Sequence, residues 1–409
     1  MRYLSLVLGG IALPLVLASP LSSISTRATS KSWAGSNLYF LQGLSDSDQD
    51  QWISTMSSSG AKVVRVWVNA QVGEGHCEKG SKLANGVPDL EFRGLGRYSD
   101  ETLDLLDKTL VKLSKSGIKA VISPHDGNAL AGDKWYVAAR TSFTVDSKWP
   151  FEPQHANDGN SDAYCKKWGS SSFYTDQNAA TQYDKRIDYV LNYQGKTSGK
   201  AWKEWGDAVM GFDIQVKLED MQSNEPFNAK ASVCKDSNAA KWVCDRATHM
   251  RETLGSENKI QVSTGGLGGD ISNGCTFIES ATSCKALDLI AVHKYAGAQS
   301  SNPGQWSGAA QSWISQANGK KVYVEEWGVN SKNTDPKTDF PAESEDIIKG
   351  QPPYLYWQFL PDVADGCSYS PKNDEDPFGI FVGSGVDFKT EFEKAADSDA
   401  AQDWTGIVW

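Results

Sequence analysis

The sequence lacks clusters of basic residues. Its 40 Lys and Arg residues form no run and are outnumbered by 51 Asp and Glu residues, so the formal net charge is −11 at pH 7. Recognition of nucleic acids and of anionic membranes begins with a basic surface. The charge distribution therefore argues against both kinds of partner and favours a neutral one.

Long apolar runs are also scarce. The most pronounced one follows Arg2 and covers residues 4–17, and small residues then lead to a predicted cleavage site after Ala18. This run is too short to span a bilayer, and no later stretch reaches about 18 apolar residues. We predict a signal peptide at residues 1–18, a flexible Ser- and Thr-rich leader at 19–31, and secretion without a membrane anchor. A buried N-terminal helix is the alternative.

Metal-ligand patterns are missing as well. His76 and Cys77 are adjacent, but the second pair of ligands that a zinc site needs is absent, so we predict no metal and no cofactor. The seven cysteines are expected to form disulfides in a secreted protein, and their odd number leaves at least one unpaired. Short sequence separations suggest the pairs Cys234–Cys244 and Cys275–Cys284.

Short apolar runs alternate with longer amphipathic stretches from Trp33 onward. The runs are rich in Val, Ile, Tyr and Trp, and several are apolar on both faces, which is typical of parallel strands covered by helices. The predicted strands are 36–41, 61–69, 119–124, 209–215, 260–265, 287–295, 321–327 and 354–360.

The segments between these strands have apolar residues at helical spacing, which predicts helices there. Leu103, Leu106, Leu110 and Leu113 share one helical face, and Gly117 ends that helix. A second predicted helix contains Tyr183, Ile187, Val190 and Leu191 on one face and is capped by Thr175. Weaker helical patterns cover 237–254 and 307–317.

Eight strands alternating with helices, without a linker or repeat, predict an α/β fold: one (β/α)8 TIM barrel domain with enlarged loops at 32–409. A doubly wound sheet is the alternative, but the glycine-rich stretch 265–269 is followed by no Lys and no clear helix start, as a phosphate loop would require.

Catalytic residues of such barrels come from the C-terminal ends of the strands. Those ends carry Arg65, Trp67, His125, Asn224, Glu225, His293, Tyr295, Glu326 and Trp357. Two carboxylates among polar and aromatic side chains are suited to cleaving glycosidic bonds. One must stay protonated to donate to the leaving oxygen, and the other must be ionised to attack the anomeric carbon or to activate water.

These strand ends resemble glycoside hydrolase family 5 over nearly the whole mature chain. The motifs are VVRVW with Arg65, VISPH with His125, Asn-Glu-Pro beginning at Asn224, His-X-Tyr beginning at His293, Glu-Trp-Gly beginning at Glu326, and the aromatic Trp357. The resemblance implies that Glu225 is the acid/base and Glu326 the nucleophile of a retaining enzyme. It also implies that Asn224 binds the sugar 2-hydroxyl, that Trp357 forms the floor of the cleavage subsite, and that Arg65 and Tyr295 form hydrogen bonds with Glu326.

Glu325, the residue before Glu326, is the alternative candidate for the nucleophile. Alternation along a strand sends neighbouring side chains to opposite faces, so only one of Glu325 and Glu326 is expected to reach the barrel mouth. The family pattern places the acid directly before aromatic-Gly, which selects Glu326.

The strings RVW at 65–67 and EEWG at 325–328 are similar to those of fungal β-1,4-mannanases in that family. This similarity implies an endo-β-1,4-mannanase acting on β-linked polysaccharide or oligosaccharide, and we expect the protein to be a monomer. A β-glucanase and an exo-acting β-glycosidase remain open, because subsite loops decide between them. The alternative from another class is a carbohydrate-binding protein on a catalytically impaired barrel.

One segment departs from the family pattern. The strand ending in Ile214-Gln215 is followed by eight extra residues, 216–223, before Asn224, whereas family members run this strand directly into Asn-Glu-Pro. The segment is either a loop at the rim of the active site or the product of a misplaced exon boundary. We favour the second explanation, because an insertion between a strand and its catalytic acid loosens geometry that needs sub-ångström placement.

Overall fold

Eight parallel strands close into a barrel in the computed structural model, which describes residues 30–71, 75–131, 162–216, 237–268, 279–295, 297–374 and 376–409. The strands are β1 (Ala34–Asn37), β2 (Val63–Trp67), β3 (Lys119–Ser123), β4 (Val209–Asp213), β5 (Gln261–Ser263), β6 (Leu289–His293), β7 (Lys321–Trp327) and β8 (Tyr354–Tyr356). Each pairs in parallel with the next, and β8 pairs with β1 to close the ring. The predicted barrel is confirmed, and seven of the eight strands lie within their predicted ranges. The first strand begins two residues before its predicted start and ends at Asn37 instead of residue 41.

Seven longer helices accompany the strands in the described part of the chain. They are α1 (Asp46–Ser58), α2 (Asp100–Lys115), α3 (Gln177–Leu191), α4 (Ser237–Leu254), α5 (Gln305–Gln316), α6 (Pro336–Gly350) and α7 (Phe388–Asp397). The four predicted helices are present as α2 to α5. The predicted cap of α3 is wrong by one residue, because the carboxylate of Asp176, not Thr175, accepts the first backbone N–H groups.

Sequence periodicity missed three helices, α1, α6 and α7, and two of these misses have identifiable reasons. Helix α1 buries Trp52, Ile53 and Met56 within an otherwise polar stretch. Helix α6 begins with Pro336 in its first turn and also contains Pro341, a residue that normally argues against a helix interior.

The barrel interior has two layers of opposite chemistry. Near the N-terminal ends of the strands it is filled by an apolar cluster of Trp33, Val63, Val121, Met210, Leu289, Ala291, Tyr323, Leu355, Ala400 and Trp404. Above this layer, towards the C-terminal ends, the buried interior side chains are polar or charged. The apolar floor excludes water from below, so the charged layer has access to solvent only from the barrel mouth.

The barrel domain begins earlier than the predicted boundary at residue 32. Ser30–Lys31 forms a short strand paired antiparallel with Asp399–Ala400. The last two residues of the predicted leader therefore belong to the folded domain. The rest of that leader and the predicted signal peptide lie outside the described residues.

Two disulfides are present among the described residues, Cys77–Cys367 and Cys244–Cys284. Both predicted pairs are therefore wrong, because Cys244 and Cys284 bond to each other and not to Cys234 and Cys275. Helix α4 packs against the short helix Glu279–Ser283, which brings the two sulfurs together across a separation of 40 residues. Proximity in sequence did not reveal this helix contact.

Of the helices that the structure describes, none is long and apolar enough to cross a membrane.

Candidate active site

Arg65, at the centre of the charged layer, contacts three carboxylates. Its Nη1 lies 2.6 Å from Glu326 Oε1, its Nε 2.9 Å from Asp213 Oδ2, and its Nη2 3.1 Å from Glu325 Oε2. All four side chains are completely buried. Burial lowers the pKa of Arg65, but Glu325, Asp213 and Glu326 together raise it above its ordinary value. The guanidinium therefore stays charged and ties strands β2, β4 and β7 together.

Glu325 and Glu326 both point into the barrel, which corrects the expectation from strand alternation. Along β6 and β7, Val292 pairs with Val324 but His293 pairs with Glu326, so β7 carries one extra residue at this point. Such a bulge interrupts the alternation of side chains. The choice between Glu325 and Glu326 as nucleophile therefore depends on the partners of each side chain and not on the face of the strand.

The partners of the two glutamates differ at the barrel mouth. Tyr295 donates its hydroxyl to Glu326 Oε2 at 2.8 Å, and His293 Nδ1 lies 3.4 Å from the same oxygen. His293 Nε2 lies 2.8 Å from Glu325 Oε2, and the hydroxyl of Tyr323 donates to Glu325 Oε1. Tyr295 is 36% exposed and Tyr323 is buried, so Glu326 is the glutamate held by a residue at the mouth. A carboxylate held in this way can act as a nucleophile or a base.

Asp213 is the third carboxylate that contacts Arg65. Its Oδ2 accepts hydrogen bonds from Arg65 Nε and from the hydroxyl of Ser123. Burial first, and then the charge of Glu325, raise the pKa of Asp213 to about 7. Burial also raises the pKa of Glu325, against the opposing effect of Arg65. Asp213 was not among the predicted site residues, although an acid within the apolar run 209–215 was a signal of such a role.

Trp67 and Trp357 lie side by side with Tyr39 at the same end of the barrel. The three rings are stacked with centroids 5.1–5.8 Å apart, and Val216 packs against the two tryptophans. The guanidinium of Arg65 lies 5.5 Å from the Trp67 ring centroid. This aromatic cluster therefore adjoins the charged layer, and the two predicted substrate-binding tryptophans lie together.

A hairpin covers part of this aromatic cluster. It consists of strands Cys77–Glu78 and Ser81–Lys82, and the Cys77–Cys367 disulfide ties it to the segment that follows β8. Lys79, at its turn, forms an ion pair with Asp376 and places its Nζ 5.5 Å from the Trp357 ring centroid. Asp376 also accepts a hydrogen bond from Trp357 Nε1 at 3.0 Å. Only 6% of Trp357 is exposed.

His125 is held away from the Arg65 cluster. Its Nε2 lies 2.8 Å from Asp162 Oδ2, and its Nδ1 lies 2.9 Å from Gln215 Nε2. Both ring nitrogens are therefore engaged by protein groups. This geometry does not support the prediction that His125 binds substrate directly, and it suits a residue that positions the end of β4 through Gln215.

The comparisons with known proteins concern the same barrel. Residues 28–325 match the family described as GH family 5 beta-mannosidase-like. The chain belongs to glycoside hydrolase family 5. It is thus an enzyme that hydrolyses O-glycosyl bonds, and the predicted family is confirmed. The matched region includes Arg65, Asp213 and His293 and ends at Glu325, one residue before Glu326.

Individual relatives of this family 5 chain are distant. Mannan endo-1,4-beta-mannosidase A of Hypocrea jecorina is 23% identical over 376 residues, which cover 86% of this chain and 71% of that protein. The endo-1,4-beta-mannanase of Rhizomucor miehei superimposes with a TM-score of 0.59 at 18% identity, covering 90% of this chain and 94% of that one. A family 5 mannosidase from Rhizomucor miehei gives 0.58 at 15% identity, covering 90% and 95%. At these identities the structures share the fold.

Two of the predicted site residues of this family 5 enzyme, Asn224 and Glu225, lie outside the described residues. The remaining predicted residues are described, and Arg65, Glu326, His293 and Tyr295 are joined by direct contacts. Among the described residues, no group of three or more His, Cys, Asp or Glu side chains is arranged to hold a metal ion.

Proposed function

We propose that this family 5 hydrolase is a retaining endo-β-1,4-mannanase with Glu326 as nucleophile and Glu225 as acid/base. The observation that carries the proposal is the setting of Glu326. Arg65 Nη1 and the Tyr295 hydroxyl each donate to a different oxygen of its carboxylate, at 2.6 and 2.8 Å. A cation and a hydroxyl donor favour the ionised form and fix its direction, which is what a nucleophile requires.

The remaining roles follow from position. Glu225 would donate its proton to the leaving oxygen, about 5–5.5 Å from Glu326 as a retaining mechanism requires, and Asn224 would bind the sugar 2-hydroxyl. Trp357 and Trp67 would provide an apolar floor for sugar rings. His293 would orient Glu326, and His125 would position the end of β4.

The choice of β-mannan rests on three supports. The matched family is described as beta-mannosidase-like, a curated relative is a mannan endo-1,4-beta-mannosidase, and the strings RVW and EEWG are similar to those of fungal β-1,4-mannanases. The alternative substrate is a β-glucan. These three observations concern the identity of the sugar. They do not distinguish cleavage within a polysaccharide chain from cleavage at its end.

One observation favours exo-action as a second candidate. The Lys79 hairpin lies against Trp357, and the Cys77–Cys367 disulfide anchors it there. A hairpin fixed beside the cleavage subsite could block further sugar subsites on that side and restrict cleavage to chain ends. The endo-mannanase and the mannosidase from Rhizomucor miehei have nearly equal TM-scores, so the fold does not discriminate between them.

The deciding experiment measures sugar release by the purified protein from pure β-mannan, β-glucan and xylan, with a mixture of oligomers expected from mannan. Release of mannose alone from mannohexaose would instead identify an exo-enzyme.

Proton NMR of the earliest products should show the β-anomer, and early α-anomer would contradict retention. Glu326→Ala should be inactive, while the exposed Glu257→Ala serves as its matched control. Binding to mannan without release of sugar by the unmodified protein would identify an impaired, carbohydrate-binding barrel.

Secretion and a monomeric state complete the proposal. The apolar run 4–17 after Arg2 and the disulfides Cys77–Cys367 and Cys244–Cys284 support export to an oxidising compartment. Mass spectrometry of the protein recovered from the culture medium should give an N-terminus at Ser19, and an intact Met1 would contradict cleavage of a signal peptide.

A further inference from the structure

We infer that Asp213 is a positioning residue that keeps a proton in the working enzyme and donates it in a hydrogen bond to Glu325, which leaves Arg65 to hold Glu326 in place. This inference rests on the proposed role of Glu326 as nucleophile. It adds a function for two buried acids that the proposed mechanism does not use.

The charges of the buried cluster require a proton. Three carboxylates, those of Asp213, Glu325 and Glu326, surround the single guanidinium of Arg65, and all four side chains have no exposed surface. Full ionisation would bury an excess of two negative charges if His293 is neutral. Uncompensated buried charge is costly, and two carboxylates in contact avoid it by retaining one proton between them.

The hydrogen bonds place that proton on the pair Asp213–Glu325. Asp213 and Glu325 contact different nitrogens of the same guanidinium, Nε and Nη2 of Arg65, and burial together with the charge of Glu325 raises the pKa of Asp213. Two ionised carboxylates placed together in this way repel each other and have no hydrogen to share. Asp213 Oδ1 is buried and accepts no hydrogen bond from the described residues, whereas Oδ2 accepts hydrogen bonds from Arg65 Nε and the Ser123 hydroxyl. A proton on Oδ1 would turn this oxygen into the donor to Glu325.

The groups facing the pair come from β2, β3, β6 and β7, with Ser123 as the group from β3, and they agree with this assignment. Glu325 accepts a hydrogen bond from the Tyr323 hydroxyl of its own strand and forms an ion pair with Arg65 of β2, and His293 Nε2 of β6 lies 2.8 Å from it. These groups stabilise Glu325 as the ionised partner. Burial and the charge of Glu325 raise the pKa of Asp213 to about 7, so Asp213 is the member that keeps the proton.

Loss of this proton would disturb the nucleophile through Arg65 and His293. An ionised Asp213 would repel Glu325 and compete for the guanidinium, and both Arg65 and His293 also contact Glu326. The carboxylate of Glu326 would then lose its fixed orientation. The rate of attack on the anomeric carbon is therefore expected to fall as the pH rises through the pKa of Asp213.

The test follows inactivation by 2-deoxy-2-fluoro-β-mannosyl fluoride between pH 5 and pH 9. In this reaction the Glu326 carboxylate forms a bond to the anomeric carbon while the carbon–fluorine bond breaks and fluoride departs. Departing fluoride needs little proton donation, so the ionisation of Glu225 affects the rate weakly. The inactivation rate of the unmodified enzyme should fall above pH 7, approaching about tenfold per pH unit.

Asp213→Asn is the decisive variant, because the amide keeps a donor for Glu325 but cannot ionise. It should be labelled at a rate within about threefold of the unmodified enzyme at pH 6 and should not lose labelling above pH 7. The exposed Asp207→Asn, six residues upstream, is the matched control and should keep the fall. Parallel profiles for Asp213→Asn and the unmodified enzyme would overturn the inference. Absence of label from every form at every pH would instead contradict the proposed function.

A second measurement does not depend on how the variant folds. Infrared spectra of the unmodified enzyme with carbon-13 in its aspartate carboxyl groups should show, at pH 6, an isotope-shifted C=O stretch of a protonated acid. This band should vanish as the pH rises beyond about 7, the pKa of Asp213. An enzyme without a protonated aspartate at pH 6 would overturn the inference.

Discussion

Glu325 and Glu326 are consecutive residues of one strand, yet both direct their carboxylates to Arg65, at 3.1 and 2.6 Å. The extra residue in β7 makes this arrangement possible, because it breaks the alternation that would have turned one glutamate outward. The two acids share a cation but differ in their other partners. Tyr323 and His293 hold Glu325, whereas Tyr295 holds Glu326 at the mouth.

The first prediction separates these two glutamates. Glu326→Ala should abolish turnover, and added azide should restore part of it with formation of an α-glycosyl azide, because azide can occupy the space of the missing nucleophile. Glu325→Ala should also lower the rate, since Arg65 and His293 lose a partner, but azide should not rescue it. Product analysis by NMR distinguishes the cases, and an azide adduct formed only by Glu325→Ala would reverse the assignment.

A second prediction concerns the pH dependence of stability. The pKa of Asp213 is raised to about 7 in the folded protein, so the unfolded chain releases this proton at lower pH than the folded one. Its contribution to the free energy of unfolding therefore falls as the pH rises from about 4 to about 7, by at most about 1.4 kcal/mol per pH unit. Urea unfolding of Asp213→Asn should give a shallower decline over this window than Asp207→Asn gives. Equal declines would contradict the raised pKa.

The third prediction tests the disulfide that the sequence did not reveal. A non-reduced peptide digest should contain Cys244 linked to Cys284, and the pair Cys234–Cys244 should be absent. Replacing both Cys244 and Cys284 with Ser should lower the free energy of unfolding by about 4 kcal/mol for a loop of this length. Unchanged stability of the double variant would show that the link contributes little.

The fourth prediction concerns the extra segment 216–223, of which residues beyond Val216 lie outside the described part of the chain. Val216 donates its N–H to the carbonyl of His125 and packs against Trp67 and Trp357. Deletion of 216–223 would put Asn224 directly after Gln215, at the position that Val216 occupies. The shortened protein should be at least as stable and much more active.

Thermal unfolding and mannan hydrolysis of both lengths measure this effect. Transcripts that encode all eight residues, together with full activity of the long form, would identify the segment as a loop of the substrate site.

Much of the fold could be predicted because local chemistry decides it. Buried parallel strands need apolar residues on both faces, and helices that cover them need one apolar face, so the eight strands and α2 to α5 left clear patterns. Helix α6 did not, because Pro336 and Pro341 disguise it. The contacts of Arg65 and Tyr295 with Glu326 were expected from family motifs and are present.

What the sequence determined by itself is therefore the barrel, the family and the place of Glu326 at the end of β7, since each depends on residue type and order along the chain. Tertiary structure alone decided that Cys244 meets Cys284, that His125 turns both nitrogens to protein groups, and that Glu325 and Asp213 join the Arg65 cluster. These relationships arise from helix packing, a β-bulge and burial of charge between distant strands. Their energies depend on distance in space, which residue order does not record.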